Sequence, residues 1–397
     1  MSRTHVTRHR VYPRPRCSVL LAFLLACASL ISAQASWLGT PEAVARGIDL
    51  FRSTDTALVD RAGPIAVYLL RLDPARVSLS SGLSNGEVMD AERVDGIAAR
   101  YQAIAAVNGG FFNVKNGEPA GLLKVAGELV SDSGTTRGIV AIRGTATSRP
   151  ELAFDQASVR MRLKFRVAGP EQTIQIDGVD TTRERGRLMI YTPSYHADTD
   201  TAANGIEWVL SGRPLQVTAI RRDAGRTPIP RGGAVLSYGG LDPPAPLSAL
   251  AIGTRVTLEL VWKPLHALSP RYLDQAQDVI NGAGLLKRNG LAITNWRWAE
   301  NLNPQTFIDA RHPRTMIGVD HRGMIWLVAV DGRQPDHSIG MTLPDLVRLA
   351  DRLGLRDALN LDGGGSTTMV VKGKIVNRPS DPGGPRAVSD AIVVRNR

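Results

Sequence analysis

Along most of the chain, apolar residues come in short runs of roughly four to eight, punctuated by glycine, proline and Asx residues, a pattern of strands rather than long helices. The runs 65–72, 103–107 and 138–142 read as strands, and 122–125 with 129–131 as a hairpin closed through Ala126-Gly127-Glu128. From about 150 to 264 the texture is more finely divided. Runs at 159–167, 172–176, 187–191, 205–210 and 255–262, each bounded by Gly/Pro turns, predict a β-rich elaboration of the same domain. Residues 92–101 have helical spacing weakened by Gly96, and 36–60 read as a connecting segment.

The last third has the clearest pattern. An apolar strand over 324–330 runs straight into Asp331-Gly332-Arg333. A helix follows, with Thr342 as N-cap, Asp345 at the capping-box position and Pro344 in the tolerant first turn. Leu346, Leu349, Ala350 and Leu353 form its apolar face, and Gly354 marks its end. A second strand, 358–361, runs into Asp362-Gly363-Gly364-Gly365. A hairpin about Lys372-Gly373 (367–371 with 374–376) and a closing strand at 391–394 complete the series.

Strand, helix, strand predicts a right-handed crossover between parallel strands, with both C-terminal ends on one sheet edge. Asp331 and Asp362 are therefore expected to face one crevice, where open α/β sheets bind ligands. The fold class that follows is mixed α/β (α+β): a β-rich domain with mixed sheets, a C-terminal βαβ unit and the β-rich middle. The expected organisation is a leader (1–35), an N-terminal strand/helix segment (36–103) and a main domain (104–397) with an insertion at about 150–264.

The leader changes the picture of charge and redox state. Five arginines (Arg3, Arg8, Arg10, Arg14 and Arg16), an apolar run over 17–31 and Ala33-Gln34-Ala35 make the layout of a secretory signal peptide, which predicts a secreted or periplasmic protein. Both cysteines, Cys17 and Cys27, lie inside it, so cleavage leaves no disulfide or thiolate chemistry; a lipid anchor at Cys27 is the minority alternative. No later run approaches the ~20 apolar residues of a membrane span. The net charge of +11 shrinks as well: without the five arginines, 43 basic face 37 acidic residues, a net of +6. No lysine-rich tail or aromatic-basic stripe accompanies that excess, so nucleic acid is not an expected partner, whereas an anionic substrate or acidic envelope polymer is.

The candidate chemistry is that of an anion. Gly363, Gly364 and Gly365 remove the β-carbons at a turn, so successive backbone amides can converge on a phosphate, with the hydroxyls of Ser366 and Thr367 as further donors. Arg311 and Arg314, flanking His312-Pro313, bring two guanidiniums able to grip an oxyanion through paired hydrogen bonds. Asn108-Gly109-Gly110-Phe111-Phe112-Asn113 is a second glycine-rich strand exit, with rings that can stack on a sugar face, and Asn281-Gly282-Ala283-Gly284 repeats the type. His-x-His and HExxH metal spacings, the Walker loop and the Rossmann fingerprint are all absent from the sequence.

Together these residues resemble the phosphodiester glycosidase family. The matching motifs are NGGFFN at 108–113, Gly121-Leu122-Leu123, 282–286 (with Ala283 where glycine is expected), Pro313-Arg314-Thr315, Asp331-Gly332-Arg333, LDGGGST at 361–367 and the segment 386–394; the stretch 150–264 carries none. The resemblance implies hydrolysis of the bond between an anomeric carbon and a phosphodiester oxygen, without a cofactor. It assigns substrate and phosphate binding to Arg314, Gly363, Gly364, Gly365, Ser366, Thr367, Arg333, Arg311, Gly109 and Gly110. Asn108 and Arg333 orient sugar or phosphate, and Asp362 or Asp331 acts as base or nucleophile. Two other classes are compatible with the same residues: a binding module for phosphorylated polysaccharide, and a metal-dependent phosphodiesterase.

Overall fold

The computed structural model describes residues 37–144 and 148–397, together with Met1; the expected leader, with both cysteines, lies outside the described residues. The compact unit Thr40–Arg397 is built of sheets. The largest has eight strands in the order Glu42–Ala45, Ile48–Ser53, Val67–Leu72, Ile325–Val330, Arg314–Asp320, Leu355–Asn360, Leu285–Arg288 and Leu291–Ala292. A five-stranded sheet runs Lys374–Ile375, Met369–Val371, Ala105–Asn108, Asp390–Asn396, Val77–Leu83. Leu70, Leu327 and Leu359 of the first, Val107 and Ile392 of the second, and Val140 and Ile280 of a seven-stranded sheet share one buried core. Neighbouring strands thus stay paired while their apolar faces are removed from water together.

The middle of the chain supplies two structures. The long strand Glu151–Phe165 pairs with Ser133–Arg143, Gln172–Gln175 and Val256–Pro264 in the seven-stranded sheet. Residues 178–238 form a separate five-stranded sheet with its own share of a second core, including Ile190, Trp208 and Leu236.

Two expectations are corrected. Residues 36–60 are not merely a connector: Glu42–Ala45 and Ile48–Ser53 pair antiparallel and form one edge of the eight-stranded sheet, with Ile48, Leu50 and Phe51 buried. The C-terminal unit is not a pair of adjacent parallel strands either. Ile325–Val330 and Leu355–Asn360 do run in the same direction, but Arg314–Asp320 lies between them, antiparallel to both. The sole parallel strand pair among the described strands is Gly178–Val179 with Leu188–Tyr191. The helix of this unit, Leu343–Arg352, has the expected capping box and lays Leu346, Leu349 and Ala350 on the sheet.

The intervening strand matters for position. It enters the sheet at Arg314, opposite Val330, while Met316 faces Asn360. One edge thus gathers the start of this strand and the ends of both neighbours. From there, residues 361–368 carry the chain out of the eight-stranded sheet and into the five-stranded one, where Ala105–Asn108 ends and Asp390–Asn396 begins.

Candidate active site

At that passage a cavity of about 310 Å³ opens, lined by Phe111, Thr306, Phe307, His312, Pro313, Arg314, Arg333, Asp362, Gly363, Gly364 and Arg386. Its charged groups are three guanidiniums and one carboxylate.

Asp362 is held by its backbone. Its amide donates to Gly109 O (3.2 Å), and its carbonyl accepts from Asn108 Nδ2 (2.8 Å). Asn108 is buried, and its Oδ1 accepts from Thr315 Oγ1 (2.6 Å) and the Thr368 amide (3.2 Å). It therefore joins both sheets behind Asp362 and does not line the cavity. The Asp362 carboxyl is pushed up to about 6 because burial disfavours its charge; the Ser366 hydroxyl, the Gly363 amide and Arg386 oppose the shift, while Asp390 adds to it.

Asp390, which the sequence did not single out, lies fully buried beneath this loop. Its carboxylate accepts from the Gly110 amide (3.1 and 3.3 Å) and Ser389 Oγ (2.9 Å), and burial pushes it up to about 6 as well. A β-carbon at 109 would overlap the same carboxylate, so close approach to Asp390 explains why glycine stands there. Gly110 thus donates to, and Gly109 makes room for, a carboxylate of the protein.

The glycine triad likewise differs from the expected amide cradle. Gly363 N donates to its neighbour's Oδ1 (2.8 Å) and Gly364 N to Pro313 O (2.9 Å), so two of the three amides are already engaged. Absence of side chains instead permits three close approaches: Pro313 O to Gly363, the Arg333 guanidinium to Gly364 (φ +61°), and the Asp381 carboxylate to Gly365. Ser366 and Thr367 are buried; Thr367 O accepts from Asn377 Nδ2 (3.0 Å).

The arginines divide sharply. Arg314 is 2% exposed yet reaches the cavity wall; Nε donates to Met341 O (2.9 Å), and Nη2 to Phe307 O (2.6 Å) and Ala310 O (3.0 Å). Its guanidinium lies 4.8 Å from the Phe307 ring centroid, and burial, with Arg333 nearby, lowers it to about 9. Arg311, three residues earlier, points elsewhere: it pairs with Asp60 and with Asp345 Oδ2 (2.7 Å) and fastens the helix start. Arg333 is exposed, with positive φ (59°), and donates to His312 Nδ1 (3.1 Å), while His312 Nε2 meets Thr306 O (3.0 Å). A carbonyl can only accept, so His312 carries its proton on Nε2 and receives Arg333 at Nδ1. Burial first, then Arg314 and Arg333, lower its pKa against the opposing hydrogen bond to Thr306 O.

Asp331 does not line the cavity. Its Oδ2 meets His337 Nε2 (2.8 Å), its Oδ1 accepts from Asn377 Nδ2 (2.9 Å), and both accept from the Arg378 amide (3.0 and 3.1 Å). Burial raises its pKa against those donors. It ties the loop that carries Arg333 to the segment that follows the last hairpin.

Sequence reasoning also missed Phe307, His312 and Arg386 as cavity residues. Phe307 comes from a single π-helical turn, Pro304–Ile308, and its ring lies 6.1 Å from that of Phe111. His312 and Arg386 were inside recognised motifs without a role.

The fold and this cavity define a β-rich protein with a pocket lined by three arginines. Residues 204–395, the stretch that holds Arg314, Arg333, Asp362 and Arg386, match the model of the family described as phosphodiester glycosidase. The match begins inside the middle region, where no family motif was expected, and leaves 108–113 outside it. Over 114 residues the chain is 39% identical to the SPbeta prophage-derived uncharacterized protein YomE of Bacillus subtilis (strain 168), covering 27% of this chain and 17% of that protein. Over 110 residues it is 31% identical to the Bos taurus N-acetylglucosamine-1-phosphodiester alpha-N-acetylglucosaminidase, covering 26% and 20%. The chain thus spans about a fifth of the length of these curated relatives. A crystal structure of an inferred exported protein from Burkholderia pseudomallei K96243 superimposes with a TM-score of 0.68 at 25% identity, covering 87% of this chain and 76% of that one.

Proposed function

We propose that this protein hydrolyses the bond between a sugar's anomeric carbon and a phosphodiester oxygen, acting outside the cytoplasm on envelope or extracellular polysaccharide. One observation carries the reading: three guanidiniums and a single carboxyl raised to about 6 face one cavity walled by two phenyl rings. The arginines suit a phosphodiester anion, and the rings suit the apolar face of a sugar.

Arg333 and Arg386 hold the phosphate oxygens, joined by Nη1 of Arg314, the nitrogen of that side chain not engaged with carbonyls. As the glycosidic C–O bond breaks, positive charge grows on the sugar and negative charge on the departing phosphate; fixed guanidiniums stabilise the second without reorganising. A phosphomonoester leaves readily, so strong general-acid help is dispensable. Asp362 then acts as base: it takes a proton from water, whose oxygen bonds to the anomeric carbon, and the proton returns to the phosphomonoester product. Asp362 is the one carboxylate among the lining residues, which favours single displacement with inversion over a covalent intermediate.

Export rests on the basic, apolar and small-residue leader and on the likeness to an inferred exported protein. The test is incubation with a panel of sugar-1-phosphodiesters. Free sugar plus a phosphomonoester is the expected outcome; sugar 1-phosphate would place the cut on the phosphorus side and overturn the reading, and binding without turnover would leave a binding module.

A further inference from the structure

Arg386 reaches the cavity from a segment, 378–386, rich in proline and glycine, and such a segment by itself would leave a long side chain free to wander. Three contacts oppose that freedom. The segment is fastened at its start, where the Arg378 amide donates to Asp331 and Gln334 Nε2 donates to Arg378 O (2.9 Å). It is fastened at its end, where Ala387–Val388 pairs with Glu92–Arg93. Between these points Asp381 Oδ2 accepts from both Nε (2.9 Å) and Nη2 (2.7 Å) of Arg386.

The Asp381 carboxylate is itself seated against Gly365, where a β-carbon would overlap both of its oxygens. Gly365 thus gives up its side chain to let a carboxylate from a different segment dock on the loop that begins at Asp362. From the sequence alone, the third glycine looked like a ligand cradle; its visible occupant is Asp381.

We propose that Asp381 is a positioning residue: docked on Gly365, it holds Arg386 in the cavity wall so that one guanidinium faces both the Asp362 carboxyl and an incoming phosphate. The inference rests on the functional reading above only for what the anion belongs to. With Nε and Nη2 both donating to one Asp381 oxygen, part of the Arg386 fork is left for a ligand, and the pair is about one-third exposed, so its own contribution to stability is small. Its consequence is geometric. Arg386 is the guanidinium that favours the charged form of Asp362, against burial and against Asp390; losing its position lets the Asp362 pKa rise further.

The test uses the full mature chain, inorganic phosphate as the probe, and Asp381→Asn, Asp381→Glu and Gly365→Ala, each checked for folding by its thermal midpoint. Calorimetry is expected to show phosphate affinity reduced roughly tenfold in Asp381→Asn and in Gly365→Ala, with partial recovery in Asp381→Glu. In sugar-1-phosphodiester hydrolysis, Asp381→Asn should raise KM more than it lowers kcat and move the acidic limb of kcat/KM to higher pH. A merely structural surface pair would move the thermal midpoint and leave that limb in place. Unchanged phosphate affinity together with an unchanged limb in Asp381→Asn overturns the proposal, as does failure of the unsubstituted protein to bind phosphate. If the protein binds phosphate in an Asp381-dependent way yet hydrolyses no sugar-1-phosphodiester, the positioning role stands and the glycosidase reading falls.

Discussion

Two strand ends in this protein carry the same signature, an apolar run broken by Asp-Gly, and they serve different ends. At Val330 the next residue, Asp331, turns inward to His337, Asn377 and the Arg378 amide, with donors on both oxygens. At the end of Leu355–Asn360, Asp362 has only its neighbour's amide as a backbone donor to its side chain and opens on the cavity. Both are buried enough for their pKa values to rise, but one is surrounded by partners and the other by space for a ligand. A strand-end aspartate thus locates an edge of the sheet; what lies opposite decides whether it holds the fold or meets a substrate. Arg311 and Arg314 repeat the lesson within a single turn of chain.

The contrast can be broken most forcefully at Asp362. Asp362→Asn should lower kcat by roughly 10²–10⁴-fold, because the proposed base is lost while the backbone contacts to Asn108 and Gly109 remain. Arg333→Ala comes next, with KM expected to rise roughly 10–100-fold as one charged contact to phosphate disappears. Asp331→Asn places an amide where two oxygens receive only donors, and unfolding in denaturant should show a loss of about 1–3 kcal/mol with turnover largely kept.

A subtler effect concerns pH. Asp362 has a folded pKa of about 6, above the ordinary value of 3.8, so between roughly pH 4 and 6 the folded state holds the extra proton. Its contribution therefore makes stability fall as pH rises through that window and stay reduced above it. Asp362→Asn removes that contribution, and its thermal midpoint should decline less than that of the unsubstituted protein between pH 4 and 7. Asp331→Asn should show the opposite ordering at pH 7, below the unsubstituted protein.

Much of the scaffold was legible in the chain because it is encoded locally. The helix Leu343–Arg352 is announced by Thr342, Asp345 and its apolar spacing, and the hairpins by Ala126-Gly127 and Lys372-Gly373, whose residues all take the positive φ of a tight turn. The edge hairpin of 42–53 escaped notice because its strands are short and its burial comes from a neighbour, Val67–Leu72, outside its own pattern. The site was legible as a neighbourhood and not as a geometry. Glycine runs show that something approaches the backbone closely; they do not say whether it is a ligand, Asp381 or Asp390. Those two carboxylates, and Phe307 with them, reach the site through tertiary packing, which no spacing along the chain records.

The most direct test of the account sets Asp362→Asn and Asp331→Asn side by side on one sugar-1-phosphodiester, following released sugar and thermal midpoint at pH 7. The account predicts a crossing: the first variant folded and nearly inactive, the second weakened in stability and still turning over. Comparable activity in both, or a greater catalytic loss at Asp331, would contradict it.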